Sequence, residues 1–71
     1  MAKSHKGKIE HWFKMPCLGG LGWRACGMSI GHPEFDGSNI RTSYVLNHDQ
    51  QTGEIETRNS RYTLIGEEAL P

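Results

Sequence analysis

From Ile40 to Ile65 polar and apolar residues alternate at every second position, with one polar interruption. Successive side chains of a strand point to opposite faces, so this period argues for half-buried β-strands and against helix. Ile40, Thr42, Tyr44 and Leu46 share one face; Arg41, Ser43, Val45 and Asn47 share the other. The interruption, Asp49-Gln50-Gln51-Thr52-Gly53, is polar, ends in glycine and has hairpin length. The alternation then resumes with Ile55 and Thr57 on one side. A four-residue loop at 49–52 predicts Leu46 opposite Ile55 and Tyr44 opposite Thr57, which pairs apolar groups across the hairpin. After Thr57 the phase shifts to Tyr62 and Leu64, so Asn59-Ser60 is expected to form a tight turn or a bulge. A last strand follows over 61–65, ended by Gly66.

The N-terminal half carries the same period less cleanly. Ile9, His11, Phe13 and Met15 fall on one face; Lys8, Glu10, Trp12 and Lys14 fall on the other. Ile9, Trp12 and Phe13 also fit one helical face, but Pro16 and the glycines after it leave that helix too short to stand alone. Gly19, Gly20 and Gly22 mark a turn, and 21–30 reads as a second strand. Its apolar phase changes beside Gly27, which points to a bulge or a sharp bend there. Gly31-His32-Pro33 breaks the strand, Asp36-Gly37 is a turn signal, and Phe35 is expected to plug an open end of the core. The expected fold is mainly β: a small antiparallel meander of four to five strands, of the kind that curls into a partial SH3-like barrel. A flat sheet with one short helix is the alternative. Residues 1–7 are expected to be a flexible basic tail, 8–66 a single β-rich domain, and 67–71 a loose end.

Seventy-one residues make one domain with a thin core, holding about 3–5 kcal/mol without staples. A core this thin leaves room for self-association as a homo-oligomer. No apolar run is long enough to span a membrane, and the basic N-terminus lacks the apolar stretch of a secretory signal. A cytoplasmic location and no membrane partner follow as expectations. Cys17 and Cys26 are expected to be free thiols, two being few for a disulfide framework. Formal net charge is zero, yet the layout is uneven. Lys3, Lys6, Lys8, Lys14 and Arg24 face only Glu10 in residues 1–30. Arg41, Arg58 and Arg61 face seven acids in the remainder.

The chemical motifs are weak. Gly20-Leu21-Gly22-Trp23-Arg24-Ala25 matches a dinucleotide fingerprint on paper, but the chain has no room for the βαβ unit that gives it meaning. Four histidines and two cysteines lack the paired spacing of a structural zinc site. Cys17 or Cys26 with His32 has nothing local to orient it as a nucleophile and base. The chain is therefore expected to be no enzyme and to need no cofactor.

Binding remains. A meander leaves edge strands open to an added strand, and arginine and aromatic side chains anchor many interfaces. Trp12, Arg41, Arg58, Arg61 and Tyr62 are the candidate partner-binding residues, with a larger protein or protein complex as the partner. The alternative is a single-stranded nucleic acid, stacked on tryptophan and tracked by arginine. A zero net charge weighs against that alternative.

The segments Ile40-Arg41-Thr42-Ser43-Tyr44-Val45 and Gly53 to Leu64 (Gly53-Glu54-Ile55-Glu56-Thr57-Arg58-Asn59-Ser60-Arg61-Tyr62-Thr63-Leu64) resemble stretches in small accessory proteins of bacteriophages and mobile elements. That resemblance covers about a third of the chain and includes no catalytic motif. It implies a small protein that binds and modulates or inhibits a larger host protein or complex.

Overall fold

The computed structural model describes residues 3–69. Five strands follow in order: β1 (His5–Cys17), β2 (Gly22–Ile30), β3 (Asn39–His48), β4 (Glu54–Thr57) and β5 (Arg61–Leu64). A single 3₁₀ turn over Leu18–Gly20 joins the first two. The mainly-β expectation holds. Each strand pairs antiparallel with the next. A five-strand meander leaves its first and fifth strands running the same way, so the sheet can close only in parallel. It does, with His5, Lys8 and Ile9 of β1 set against Arg61, Thr63 and Leu64 of β5. The strands thus form one closed ring, and the open edges expected of the meander are taken up by this pairing.

β1 begins at His5, inside the segment expected to be a tail. Ser4 O accepts a hydrogen bond from Arg61 N, and Lys3 Nζ donates to Thr57 O, which straps the N-terminal residues along the ring. At the other end Ala69 N donates to Trp12 O and Lys14 N donates to a Glu68 carboxylate oxygen, so 67–69 lies against β1. The rest of both expected loose ends, Met1, Ala2, Leu70 and Pro71, lies outside the described residues.

A bulge in β1 decides where Trp12 points. Glu10 pairs with Met28 and Phe13 with Cys26, leaving His11 and Trp12 together opposite Gly27. His11 takes a left-handed backbone, φ 52°, a conformation that histidine accepts more readily than most residues. The extra residue reverses the alternation, so Trp12 joins Ile9 in the core and Phe13 turns half outward. Within β2 the inward phase does not switch at Gly27, since Ala25, Gly27 and Ser29 are all buried while Met28 is 39% exposed; the irregularity there is the bulge on the facing strand. Gly27 supplies the space: a Cβ there would stand 2.6 Å from Glu10 O and 3.0 Å from Trp12 Cα.

The core consists of Ile9, Trp12, Ala25, Ile55, Tyr62 and Leu64, with Trp23, Ile40 and Val45 packed against it. Phe35 does not plug this core; it is 51% exposed, and His32 is the buried side chain at that end of the ring. The β3–β4 hairpin also departs from the expected register. Val45 faces Thr57 and His48 faces Ile55, while Leu46 bulges outward and is 57% exposed. The cause lies in the loop. Asp49 Oδ1 accepts hydrogen bonds from Gln51 N and Thr52 N, and Asp49 pairs its backbone with Glu54, so the loop takes in Gly53 at φ 78°.

Candidate functional site

A second irregularity, between β2 and β3, builds the most distinctive surface. Arg24 faces Tyr44 and Cys26 faces Arg41, so β3 carries one residue more than β2 across this step. Thr42 fills the gap: its buried hydroxyl oxygen accepts the hydrogen bond of Ala25 N at 3.1 Å. With Thr42 turned inward, Arg41 and Tyr44 stand on either side of it. Arg58 comes up from the turn after β4, where its backbone N donates to Tyr44 O at 3.0 Å. The result is an open groove of about 420 Å³ lined by Arg24, Arg41, Thr42, Ser43, Tyr44, Arg58 and Asn59.

The groove is cationic. Three guanidinium groups line it and no carboxylate does. Among the described residues the ion pair within 4 Å is Lys3–Glu56, at 2.8 Å and away from the groove. Arg24 lies over the Tyr44 ring, 4.9 Å from its centroid. The Tyr44 hydroxyl is the largest influence on Arg24 and, against slight desolvation, holds its guanidinium above the ordinary arginine value. Arg41 makes one long contact to Met15 Sδ at 3.8 Å. Cys26 sits beneath this surface as a buried free thiol. Burial pushes it up, with Arg41 and Arg24 opposing, so it stays protonated near neutral pH and is a poor nucleophile.

A second cleft adjoins the groove and shares Arg41 with it. It measures about 300 Å³ and is lined by His32, Phe35, Asn39, Ile40, Arg41 and Tyr62. Its aromatic wall is graded. The Tyr62 and His32 rings lie nearly parallel, 6.2 Å apart, and the half-exposed Phe35 ring leans on His32 at 5.0 Å. His32 is fixed by its Nδ1, which accepts hydrogen bonds from Glu34 N and Phe35 N.

The five residues singled out from sequence therefore part company. Arg41 and Arg58 are exposed and brought together in the groove. Trp12 is 6% exposed, and its Nε1–H donates to Gly66 O at 3.0 Å. Tyr62 is 8% exposed, and burial raises its phenol. Arg61 is half-buried, its Nε donating to Lys3 O at 2.9 Å as part of the N-terminal strap. Trp12 and Tyr62 belong to the core because a bulge and a strand phase turn them inward, leaving little of either ring for a partner. Arg24, Tyr44 and Phe35 were missed.

Among the described residues no three His, Cys, Asp or Glu side chains are grouped to hold a metal ion, and no helix is long and apolar enough to cross a membrane. No family model matches the chain, and neither the curated proteins nor the solved structures compared with it give a match.

Proposed function

We propose that the protein is a non-enzymatic binding module whose working surface is the Arg24–Arg41–Arg58 groove, and that it recognises a polyanionic face of a larger macromolecule. One observation carries this reading: three guanidinium groups line one groove with no carboxylate among its lining residues. Unneutralised arginines close together repel one another, and a bound anion removes that cost while accepting forked hydrogen bonds. A modulator of a larger host protein, as the phage-like segments suggest, fits if its target offers a carboxylate-rich patch. An added edge strand fits poorly, because the strands of the ring are already paired on both sides over part of their length. The aromatic cleft beside the groove favours a second reading, nucleic acid.

The test is retention on a heparin column. A chain of zero net charge is retained only if its positive charge is focused. The parent protein is expected to bind at low salt and elute as salt rises. The double variant Arg41→Ala/Arg58→Ala is expected in the flow-through with its far-UV circular dichroism unchanged. A parent protein that flows through at low salt refutes the reading.

A further inference from the structure

We infer that the anion read by this surface is the backbone of a single-stranded nucleic acid, with an unstacked base seated in the His32–Phe35 cleft and the flanking phosphates on Arg41, Arg24 and Arg58. The inference rests on the reading above and narrows it to one partner class.

Three features separate a nucleic acid from an acidic peptide. The first is continuity. Arg41 lines both the arginine groove and the aromatic cleft, so a cationic track ends at a ring-lined slot. A nucleotide carries that same juxtaposition of anion and flat ring, whereas a run of Asp and Glu carries no ring. The second is the state of the aromatic wall. Tyr62 and His32 are buried and fixed, while Phe35 ends the series with 51% of its surface free. An exposed ring on a rigid backing is a stacking platform, and any base can use it because every base has a π-face. The third is Asn39, which lines the same slot and is exposed. Its amide carries both donors and an acceptor, the set that reads a base edge.

The slot also argues for single strands. A base can lean on Phe35 only after leaving its own stack, which a loop, an end or a single strand allows at low cost. A duplex presents phosphates to the arginines but keeps its bases from the cleft. Zero net charge does not conflict with this: Glu34 and Asp36 flank Phe35, with Asp36 Oδ1 held by Gly31 N, but no carboxylate lines either the groove or the cleft.

The test uses the full chain and fluorescein-labelled strands of about 12 nucleotides, within the span of small single-strand-binding folds. Oligo-dT, oligo-U, an abasic strand of equal length and poly-glutamate are compared by fluorescence anisotropy. One stacked base is expected to favour the base-bearing strands over the abasic one by about tenfold. Phe35→Ala is expected to remove that advantage and leave abasic affinity unchanged, while Phe35→Trp restores it. Arg41→Ala and Arg58→Ala are expected to weaken all strands and to lower the slope of log affinity against log salt by about 0.7 each. Equal affinity for abasic and base-bearing strands, or tighter binding of poly-glutamate, overturns the nucleic-acid assignment and leaves the basic groove standing. Failure to bind any of these polyanions, or binding indifferent to both arginine variants, overturns the groove as well.

Discussion

Gly27→Ala adds one methyl group and is expected to remove about half of the protein's stability. The backbone of Gly27 is not left-handed, so alanine meets no conformational obstacle of its own. On local grounds the change should even help, since glycine inside a strand costs about 0.5–1 kcal/mol relative to alanine. Space decides otherwise. The new Cβ would stand 2.6 Å from Glu10 O, 2.6 Å from Ile9 Cγ2 and 3.0 Å from Trp12 Cα. Two of those atoms are backbone and cannot rotate away; relief requires prising β1 from β2 at the bulge that seats Trp12. Overpacking costs about 1–3 kcal/mol, and immovable neighbours put this site at the upper end. After the local gain, a net loss of about 2 kcal/mol remains in a domain that holds about 3–5 kcal/mol in all. The assay is urea unfolding followed by tryptophan fluorescence. With a slope near 1 kcal/mol per M, as suits a small domain, the midpoint should fall by about 2 M. A midpoint within about 0.3 M of the parent would refute the packing argument, and with it the claim that Gly27 marks a bulge on the facing strand.

Two further outcomes follow from buried or paired polar groups. Thr57→Val keeps the shape of a side chain that is 1% exposed but deprives Ser60 N of its acceptor, the Thr57 hydroxyl at 3.0 Å; a buried amide left unpaired costs about 1–3 kcal/mol, so thermal melting should drop by roughly 5–15 °C, and a shift under about 2 °C would show that water replaces the hydroxyl. Glu56 is held below its ordinary value of 4.5 by hydrogen bonding to Lys3, then by Asn47. A depressed folded value means stabilisation present above the unfolded value and lost as pH falls through the folded one; urea midpoints measured down through pH 4.5 should therefore fall more steeply for the parent than for Glu56→Gln, and parallel curves would dismiss the Lys3–Glu56 strap as a contributor.

The period of two was legible in the sequence, and wherever the strands run without a bulge it assigned the faces well. Ile55, Thr57, Tyr62 and Leu64 point inward as their phase demands. What the period does not encode is an inserted residue. A bulge moves every later side chain to the other face, and β1 and β3 both carry them. Trp12 suits a core or an interface equally well, so its identity gave no warning that His11 would turn left-handed and swing it inward. The hairpin register failed for a similar reason: Asp49 captures two loop amides and lengthens the loop, which displaces Leu46 and moves Tyr44 away from Thr57. Arg24 could be matched to Tyr44 only with both shifts known. Arg41 and Arg58 are exposed, as an arginine on a strand or turn is in almost any register, whereas Arg61 is drawn into the N-terminal strap and Trp12 and Tyr62 turn into the core.

The uneven charge layout gains its meaning from the ring closure. Basic residues crowd the first third of the chain and acids the rest, which suggests a basic arm beside an acidic body. Parallel pairing of β1 with β5 lays one along the other. Lys3 meets Glu56 and Thr57 O, and the carboxylate of Glu68 accepts from Lys14 N. The N-terminal strap along this seam thus sets one cation of the basic arm, Lys3, against one acid of the body, Glu56. Arg24, Arg41 and Arg58 lie off that seam, on β2, on the part of β3 that pairs with it, and on the turn after β4, in a groove lined by no acid. Three arginines are therefore gathered in one groove on a chain that is neutral as a whole, which suits that groove to meet an anion.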